Sequence, residues 1–323
     1  MRKLLAAGMC AGALLLGACG DPGGEDETGG NAAPPPAASR TAGADPSPTH
    51  RKERESEKPR AERPADRERK PRAKPKPRVL YLGDSLAMEN QNVLGSLLRD
   101  QLAARYTSAP YSGTTLCDYL EGTGEDSLVP DKDKAATLVR ELRPDFVVLQ
   151  FWGNSWGYTP CMDGITHDKA PDTYYTRYAA DARKLTGQIE DAAQEAGARR
   201  PKVVWVSQGP DAITPDRVRR VNDLYRRQAA ASGDLVADAG RAVSPASARY
   251  RWVRELPCTA YERAHPQYCT ESGGRTALHR GDDFLHFCLA PTTPKSRPCP
   301  VRSPGIRRIG QAVTDEVARA ARR

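Results

Sequence analysis

The sequence lacks an apolar run long enough to form a transmembrane helix. The uncharged apolar stretch at residues 4–16 is interrupted only by small side chains and has thirteen residues, whereas a membrane-spanning helix needs about 20. The chain also shows no internal repeat and no C-x-x-C pair. These absences argue against a membrane-spanning protein, against a repeat protein and against a zinc module built on closely spaced cysteines.

The N-terminal apolar stretch predicts a secretion signal instead. Arg2 and Lys3 precede it, and the letters L-G-A-C follow at positions 16–19, so a basic region, an apolar region and small residues before a cleavage site occur in order. The segment resembles the bacterial lipobox, whose cysteine becomes the lipidated first residue of the mature protein. We expect a signal peptide at 1–18, a palmitate-bearing anchor on Cys19 and a location on the outer face of the cell membrane. The alternative is an ordinary signal peptide in which Cys19 is incidental.

Residues 19–77 have a composition that disfavours folding. Residues 20–50 contain almost no large apolar side chain and so cannot bury enough surface to offset the entropy lost on ordering. Residues 51–78 carry thirteen Lys or Arg against six Asp or Glu, without an aromatic residue. We expect a disordered tether whose basic part lies near anionic phospholipid or wall polymer, or is a soluble, extended spacer. The missing aromatics disfavour nucleic-acid binding.

Six cysteines remain in residues 78–323. In an exported protein an even number indicates disulfides, although six cysteines allow fifteen pairings. Two pairs are each eleven positions apart in loop-like sequence, and the other two cysteines form a long-range pair. A zinc site is the alternative, which is disfavoured because the histidines are not clustered with the cysteines. The bonds we expect are Cys117–Cys161, Cys258–Cys269 and Cys288–Cys299.

Short apolar runs alternate with helical periodicity through residues 78–323. Strands are predicted at 78–82, 146–151, 202–207 and 234–239, and helices at 86–106, 134–142, 172–196, 214–231 and 306–322. Strands separated by helices predict an α/β fold with a parallel sheet covered on both faces, whose ligands lie at the carboxyl ends of the strands. A segment of about 245 residues is sufficient for one domain with a substantial core.

Candidate catalytic residues stand near both ends of this segment. Ser85 follows the first strand in the letters G-D-S, where a helix N-terminus can stabilise developing negative charge, although a serine there can equally be a helix cap. Asp283 lies three residues before His286, so its carboxylate can hold one ring nitrogen and leave the other facing a reaction site. Asp282 is the competing partner, and the three-residue spacing favours Asp283.

Two further blocks stand between these residues: one follows the region in which the second strand of the sheet is expected, and the other directly follows the strand at 146–151. The backbone N–H of Gly113 and the side-chain amide of Asn154 are candidates for an oxyanion hole with the N–H of Ser85. Four blocks in this order resemble the SGNH or GDSL hydrolase superfamily, in which Ser, Gly, Asn and His come from four blocks and an Asp stands three before the His. The resemblance implies a flavodoxin-like three-layer α/β/α sandwich, with these site residues: Ser85, Gly113, Asn154, Asp283 and His286.

The third block departs from the family pattern, which usually reads G-x-N-D. Trp152 occupies the glycine position and Ser155 the aspartate position, a variant more similar to the SGNH domains attached to bacterial polysaccharide acyltransferases. Asp84 is expected to order the turn by hydrogen bonding to backbone and not to be the triad acid. Four large side chains crowd the loop around Asn154 and form either a ligand-binding wall or packing under a disulfide-tied loop: Trp152, Trp156, Tyr158 and Met162. The remaining histidines of the polar loops are expected to be solvated: His167, His265 and His279.

These features predict an exported serine ester hydrolase that acts on an acyl ester, such as an acetyl ester, of cell-envelope carbohydrate or lipid. We expect no metal or organic cofactor, no nucleic-acid partner and a monomer. One alternative is an O-acyltransferase, in which a sugar hydroxyl of the envelope resolves the same acyl-enzyme. Another is a catalytically idle binding lipoprotein. The sequence does not separate water from sugar as the acyl acceptor.

Replacing Cys19 by Ala tests the lipid anchor. Without the thiol there is no site for lipid attachment, so the Cys19→Ala variant should be released from membranes or mislocalised. Membrane fractionation and N-terminal mass spectrometry check this. Membrane retention of the variant with an unmodified N-terminus would contradict the lipobox interpretation.

Overall fold

Five parallel strands form the central sheet of the protein, which is described by a computed structural model over residues 76–154, 159–247, 251–292 and 295–323. The strands lie in the order β2-β1-β3-β4-β5, which is the flavodoxin-like order of a doubly wound sheet. The predicted α/β class is therefore confirmed. The expected signal peptide, Cys19 anchor and most of the expected tether lie outside the described residues. The sheet strands are β1 Arg78–Gly83, β2 Arg105–Ser108, β3 Phe146–Gln150, β4 Lys202–Val206 and β5 Leu235–Ala237.

Helices cover both faces of the sheet. Side chains alternate along each strand, so Leu80 packs into the cluster under α2, α3 and α4, whereas Tyr81 packs into the cluster under α1, α5 and α7. Burial on both faces explains why β1, β3 and β4 are nearly continuous apolar runs, whereas the edge strand β2 is polar. Within the described ranges no helix is both long and apolar enough to cross a bilayer. The helices are α1 Ser85–Leu102, α2 Ala135–Leu142, α3 Pro171–Glu195, α4 Pro215–Ser232, α5 Ala239–Ala242, α6 Ala260–Ala264 and α7 Pro304–Ala321.

Two features differ from the sequence prediction. The first helix was expected to continue to residue 106, but it ends at Leu102 because Ala103 adopts a left-handed backbone with φ of 52°. Tyr106 instead belongs to β2 and pairs with Val79. The second feature is an antiparallel pair outside the main sheet, formed by β6 Glu255–Pro257 and β7 Arg275–Ala277. Strands of three residues are too short to produce a periodic signal.

All three expected disulfides are present. Among the described residues, one group of Cys, His, Asp and Glu side chains is close enough to hold a metal, and it consists of Asp118 with two cysteines that are joined to each other. Sulfur atoms joined in a disulfide cannot bind zinc as thiolates, so this group does not support the alternative of a zinc site. The bonds are Cys117–Cys161, Cys258–Cys269 and Cys288–Cys299.

A close approach between β1 and β3 fixes the turn that carries Ser85. Gly83 pairs with Gln150 across the two strands, and a Cβ atom at Gly83 would lie 2.0 Å from the Gln150 carbonyl oxygen and 2.6 Å from the Ala87 Cβ. The next residue, Asp84, donates its backbone N–H to the same Gln150 carbonyl at 3.2 Å. Only glycine fits at position 83 without separating the strands.

Gly83→Ala should therefore destabilise the protein severely, because the new methyl group overlaps backbone atoms that cannot move independently of the sheet. We expect a loss of about 4 kcal/mol or more in the free energy of unfolding, or no folded protein. Gly187→Ala is the matched control: Gly187 lies inside α3 with no atom within 4 Å of the added Cβ, so a gain of roughly 0.5–1 kcal/mol is expected. Denaturant unfolding measures both. Equal stability of the two variants would contradict the close approach.

Candidate active site

A hydrogen-bonded relay of three side chains, from Ser85 to His286 to Asp283, lies at the start of α1. The hydroxyl oxygen of Ser85 lies 3.1 Å from Nε2 of His286. The other ring nitrogen, Nδ1, lies 2.9 Å from Oδ2 of Asp283 and 3.2 Å from its Oδ1. Asp283 Oδ1 also accepts the backbone N–H groups of Leu285 and His286, each at 3.0 Å. The structure thus places a hydroxyl, an imidazole and a carboxylate in the order that a serine nucleophile requires.

The charges around His286 suit it to accept a proton. Burial disfavours the imidazolium, but the hydrogen bond to Asp283 and the negative charges of Glu89, Asp283 and Asp84 outweigh burial, so the pKa of His286 lies above its usual value. Burial likewise opposes ionisation of Asp283, but hydrogen bonds from the His286 side chain and backbone lower the pKa of this carboxyl below its ordinary range. An ionised Asp283 requires a proton on Nδ1, which leaves Nε2 as the acceptor facing Ser85.

All four family blocks meet at one cavity of about 240 Å³. Ser85, Gly113, Asn154 and His286 line it, at the carboxyl ends of β1 and β3, where the strand order reverses. Gly113 has a left-handed backbone, with φ of 80°, and the Asn154 amide donates to the carbonyl of Thr114 at 2.8 Å. The second and third blocks are therefore tied together beside Ser85. The Gly113 N–H is a candidate for binding an oxyanion, and the Asn154 amide, which also donates to Asp84 at 3.3 Å, becomes a candidate when it gives up one of these two acceptors.

Asp84 connects the nucleophile turn to the third block. Its carboxylate accepts the backbone N–H of Leu86 at 3.0 Å, the backbone N–H of Trp152 at 2.6 Å and the Asn154 amide at 3.3 Å. The side chain is fully buried, and burial raises its pKa to about 6. Asp84 thus orders the turn through backbone hydrogen bonds, as expected, while Asp283 is the carboxylate paired with His286.

The tryptophan in the third block is explained by a buried arginine. The guanidinium carbon of Arg217 lies 3.6 Å from the centre of the Trp152 ring, and its nitrogens bind the Gly153 carbonyl and, at 3.0 Å, the Asp211 carboxylate. Tyr174 donates a second hydrogen bond to the Gly153 carbonyl at 2.8 Å. A large ring is accommodated here because it stacks on a cation that also holds the loop. The sequence did not indicate a role for Arg217, because it lies in a polar helical segment without a recognisable motif.

The structure also places the other candidates that the sequence offered, which are Asp282 and three histidines. Asp282 accepts from Arg280 at 2.8 Å, whereas Asp283 is the aspartate paired with the imidazole. The expectation that His279 is solvated was wrong: it is 1% exposed, and its Nδ1 lies 2.9 Å from the His286 carbonyl oxygen. Burial lowers the pKa of His279, so this ring acts as a neutral support. His167 and His265 are partly exposed.

The proposed wall after Asn154 is only partly described. Trp152 and Met162 are both buried, and Met162 belongs to the core beside the Cys117–Cys161 bond. The packing alternative therefore fits Met162, whereas Trp152 belongs to the core on the other face of the sheet and also lines a second cavity beside His286. Residues 155–158, which include the other two aromatic residues, lie outside the described part of the chain.

No protein-family model and no curated protein matches the chain. Similar solved structures include TesA, with 15% identity, coverage of 73% of this chain and 97% of that chain, and a TM-score of 0.39. A catalytic mutant of Axe2, an acetylxylan esterase from Geobacillus stearothermophilus, has 16% identity, coverage of 75% and 94%, and a TM-score of 0.41. The psychrotrophic esterase EstA from Pseudoalteromonas sp. has 12% identity, coverage of 76% and 99%, and a TM-score of 0.39.

These similarities assign neither a family nor an activity to the chain. In the chain itself, residues from four distant blocks line one cavity. The protein therefore combines a flavodoxin-like sheet order with the four assembled blocks of the SGNH/GDSL hydrolases that its sequence resembles.

Proposed function

We propose that this protein is an exported serine ester hydrolase of the SGNH/GDSL type. The observation that carries the proposal is the relay, in which Ser85 Oγ lies 3.1 Å from His286 Nε2 and His286 Nδ1 lies 2.9 Å from Asp283 Oδ2. A serine at a helix start can be a simple cap, but a cap has no need of a buried, carboxylate-paired imidazole. The combination supports nucleophilic catalysis.

In the first half of the reaction, His286 Nε2 removes the hydroxyl proton while Ser85 Oγ forms a bond to the ester carbonyl carbon. The carbonyl oxygen becomes an oxyanion, for which the N–H groups of Ser85 and Gly113 and the Asn154 amide are the proposed donors. The carbon–alkoxy bond then breaks, and the alcohol leaves with the proton from His286. An acyl group remains on Ser85.

In the second half, a water molecule gives a proton to His286 and attacks the acyl carbon. Collapse of the second tetrahedral intermediate returns this proton to Ser85 Oγ and releases a carboxylic acid. Asp283 stays ionised throughout and stabilises the imidazolium formed in each half. No metal or organic cofactor takes part in these steps.

We infer an ester of the cell envelope as the substrate. The proposed lipid anchor on Cys19 would hold the domain at the outer face of the membrane, within reach of envelope carbohydrate and lipid. The cavity of about 240 Å³ is below the roughly 300–1,000 Å³ of pockets for drug-sized ligands. A short acyl group, such as acetyl, would fit this cavity.

Ser85→Ala and His286→Ala should each lower turnover of a short-chain acyl ester by several orders of magnitude. The double variant should lose little more, because nucleophile and base act as one unit. A serine-directed phosphonate should label the wild-type chain at Ser85, as peptide mass spectrometry can verify. Labelling at another residue, or full activity of folded Ser85→Ala protein, would exclude this function.

Asp283→Asn and Asp282→Asn form a matched pair of variants. The first replaces the carboxylate that fixes the His286 tautomer, and we expect the rate to fall on the order of 10³–10⁴-fold. The second alters an exposed ion pair with Arg280, so the rate should remain within a few-fold of wild type. Steady-state kinetics at constant pH distinguish them. A larger loss in Asp282→Asn would reverse the assignment of the acid.

An acceptor experiment separates hydrolysis from acyl transfer. For a hydrolase, turnover of a short-chain acyl ester should be the same with and without an added envelope glycan, and the glycan should stay unmodified. For a transferase, the glycan should accelerate loss of the ester and carry the acyl group. Kinetics together with mass spectrometry of the glycan decide between the two, and an acylated glycan would replace our proposal with the transferase.

A further inference from the structure

We propose that Glu89 is a second carboxylate of the active site, which positions the catalytic base and supplies negative charge to it. The inference rests on the proposed role of His286 as the base. Glu89 would not touch the reacting atoms. It would act through His286 and through the loop closed by the Cys288–Cys299 disulfide.

The helix places Glu89 on the same side as the nucleophile. Glu89 follows Ser85 by four positions in α1, and residues four apart lie on one helix face. Its side chain is 2% exposed, and it lines the same cavity as Ser85 and His286. Carboxylates are almost never fully buried unless they are paired, so this burial requires partners.

Those partners come from the disulfide loop, and they hold Glu89 at two points. Its carboxylate accepts the backbone N–H of Cys288 at 3.3 Å and the hydroxyl of Thr292. Its backbone carbonyl accepts the N–H of Cys299 at 3.1 Å. Both cysteines of one disulfide therefore bind the same residue of α1, and Cys288 is only two residues after His286. This arrangement fixes the segment carrying the base against the helix carrying the nucleophile.

The charges facing His286 make Glu89 relevant to proton transfer as well. Asp283 is hydrogen-bonded to the ring, Asp84 lies beneath the nucleophile turn, and the neutral His279 contacts the His286 carbonyl. The nearby cations are Arg280, which pairs with Asp282 and lies 4.0 Å from Asp283, and Arg297, which lines the same cavity and donates to the Pro291 carbonyl at 3.2 Å. Glu89 is the negative group in this set that belongs neither to the relay nor to the nucleophile turn.

Glu89 and His286 stabilise each other's charged forms. Burial raises the pKa of Glu89, while the charge of His286 and the hydrogen bonds from Thr292 and Cys288 oppose that rise. In return, the negative charge of Glu89 raises the pKa of His286. Attack by Ser85 creates an imidazolium, so a carboxylate here stabilises the charge that develops during the reaction.

The test compares Glu89→Gln with Thr292→Val in the full chain. The first removes the charge and keeps an oxygen acceptor, whereas the second removes the hydroxyl donor and keeps the charge. Two quantities are measured: the acid limb of the pH profile of kcat/KM, and the pKa of His286 by NMR titration, assigned from the spectrum of His286→Gln. Because a neutral imidazole is the active base, the acid limb follows the pKa of His286.

In Glu89→Gln, both the acid limb and the His286 titration should move to lower pH by about half a unit or more, and kcat on the plateau should fall more than KM changes. In Thr292→Val, which removes a hydrogen bond that favours ionised Glu89, both should move in the same direction but by less than in Glu89→Gln, whatever the plateau rate. An unmoved His286 titration in folded Glu89→Gln protein would overturn the proposal. If that variant does not fold, Glu89→Ala should give a shift in the same direction, and no shift there would likewise overturn it.

The NMR titration keeps this inference separate from the proposed function. If wild-type protein hydrolyses no ester, the function fails, while the response of His286 to Glu89 is still measured. If wild-type protein is active and His286 does not respond, the role of Glu89 fails and the hydrolase stands.

Discussion

The buried carboxylate of Asp84 holds the site together, because it joins the ends of two neighbouring strands. It caps α1 through Leu86 and accepts from Trp152 and Asn154 after β3. One charged group thus fixes the distance between the proposed nucleophile and a proposed oxyanion donor. Such a carboxylate needs several donors to offset its lost hydration, and the N–H groups at a helix start and a strand end provide them.

The sequence predicted the features that depend on local pattern or on strand ends. Ser85 and Asn154 each follow an apolar strand, and parallel strands bring their carboxyl ends to one edge, so their proximity was predictable. The polar strand before Gly113 has no such pattern. Two disulfides were predictable from an even cysteine count and a spacing of eleven positions, and the two remaining cysteines form the long-range bond. The spacing of Asp283 and His286 was informative because three residues of a turn fit the reach of a carboxylate to an imidazole.

Residues buried by tertiary contacts gave no comparable signal. Glu89 and Arg217 lie in polar helical segments that read as solvated surface, and only packing by distant loops buries them. His279 reads as a loop histidine, but it packs against Trp252 and Phe287. The sequence shows that Glu89 follows Ser85 by four positions on one helix face. It does not show that Glu89 is buried beside His286, because the sequence of a helix does not reveal which loop packs against that helix.

The separation of Ser85 and His286 along the chain has a consequence for how activity relates to folding. The two residues are 201 positions apart, so the relay is among the contacts of highest sequence separation, which close only after large loops have been ordered. Any chain that has not docked its C-terminal segment lacks a base, even with the sheet complete. Ester turnover would thus report completed native assembly more stringently than helix content or core fluorescence does.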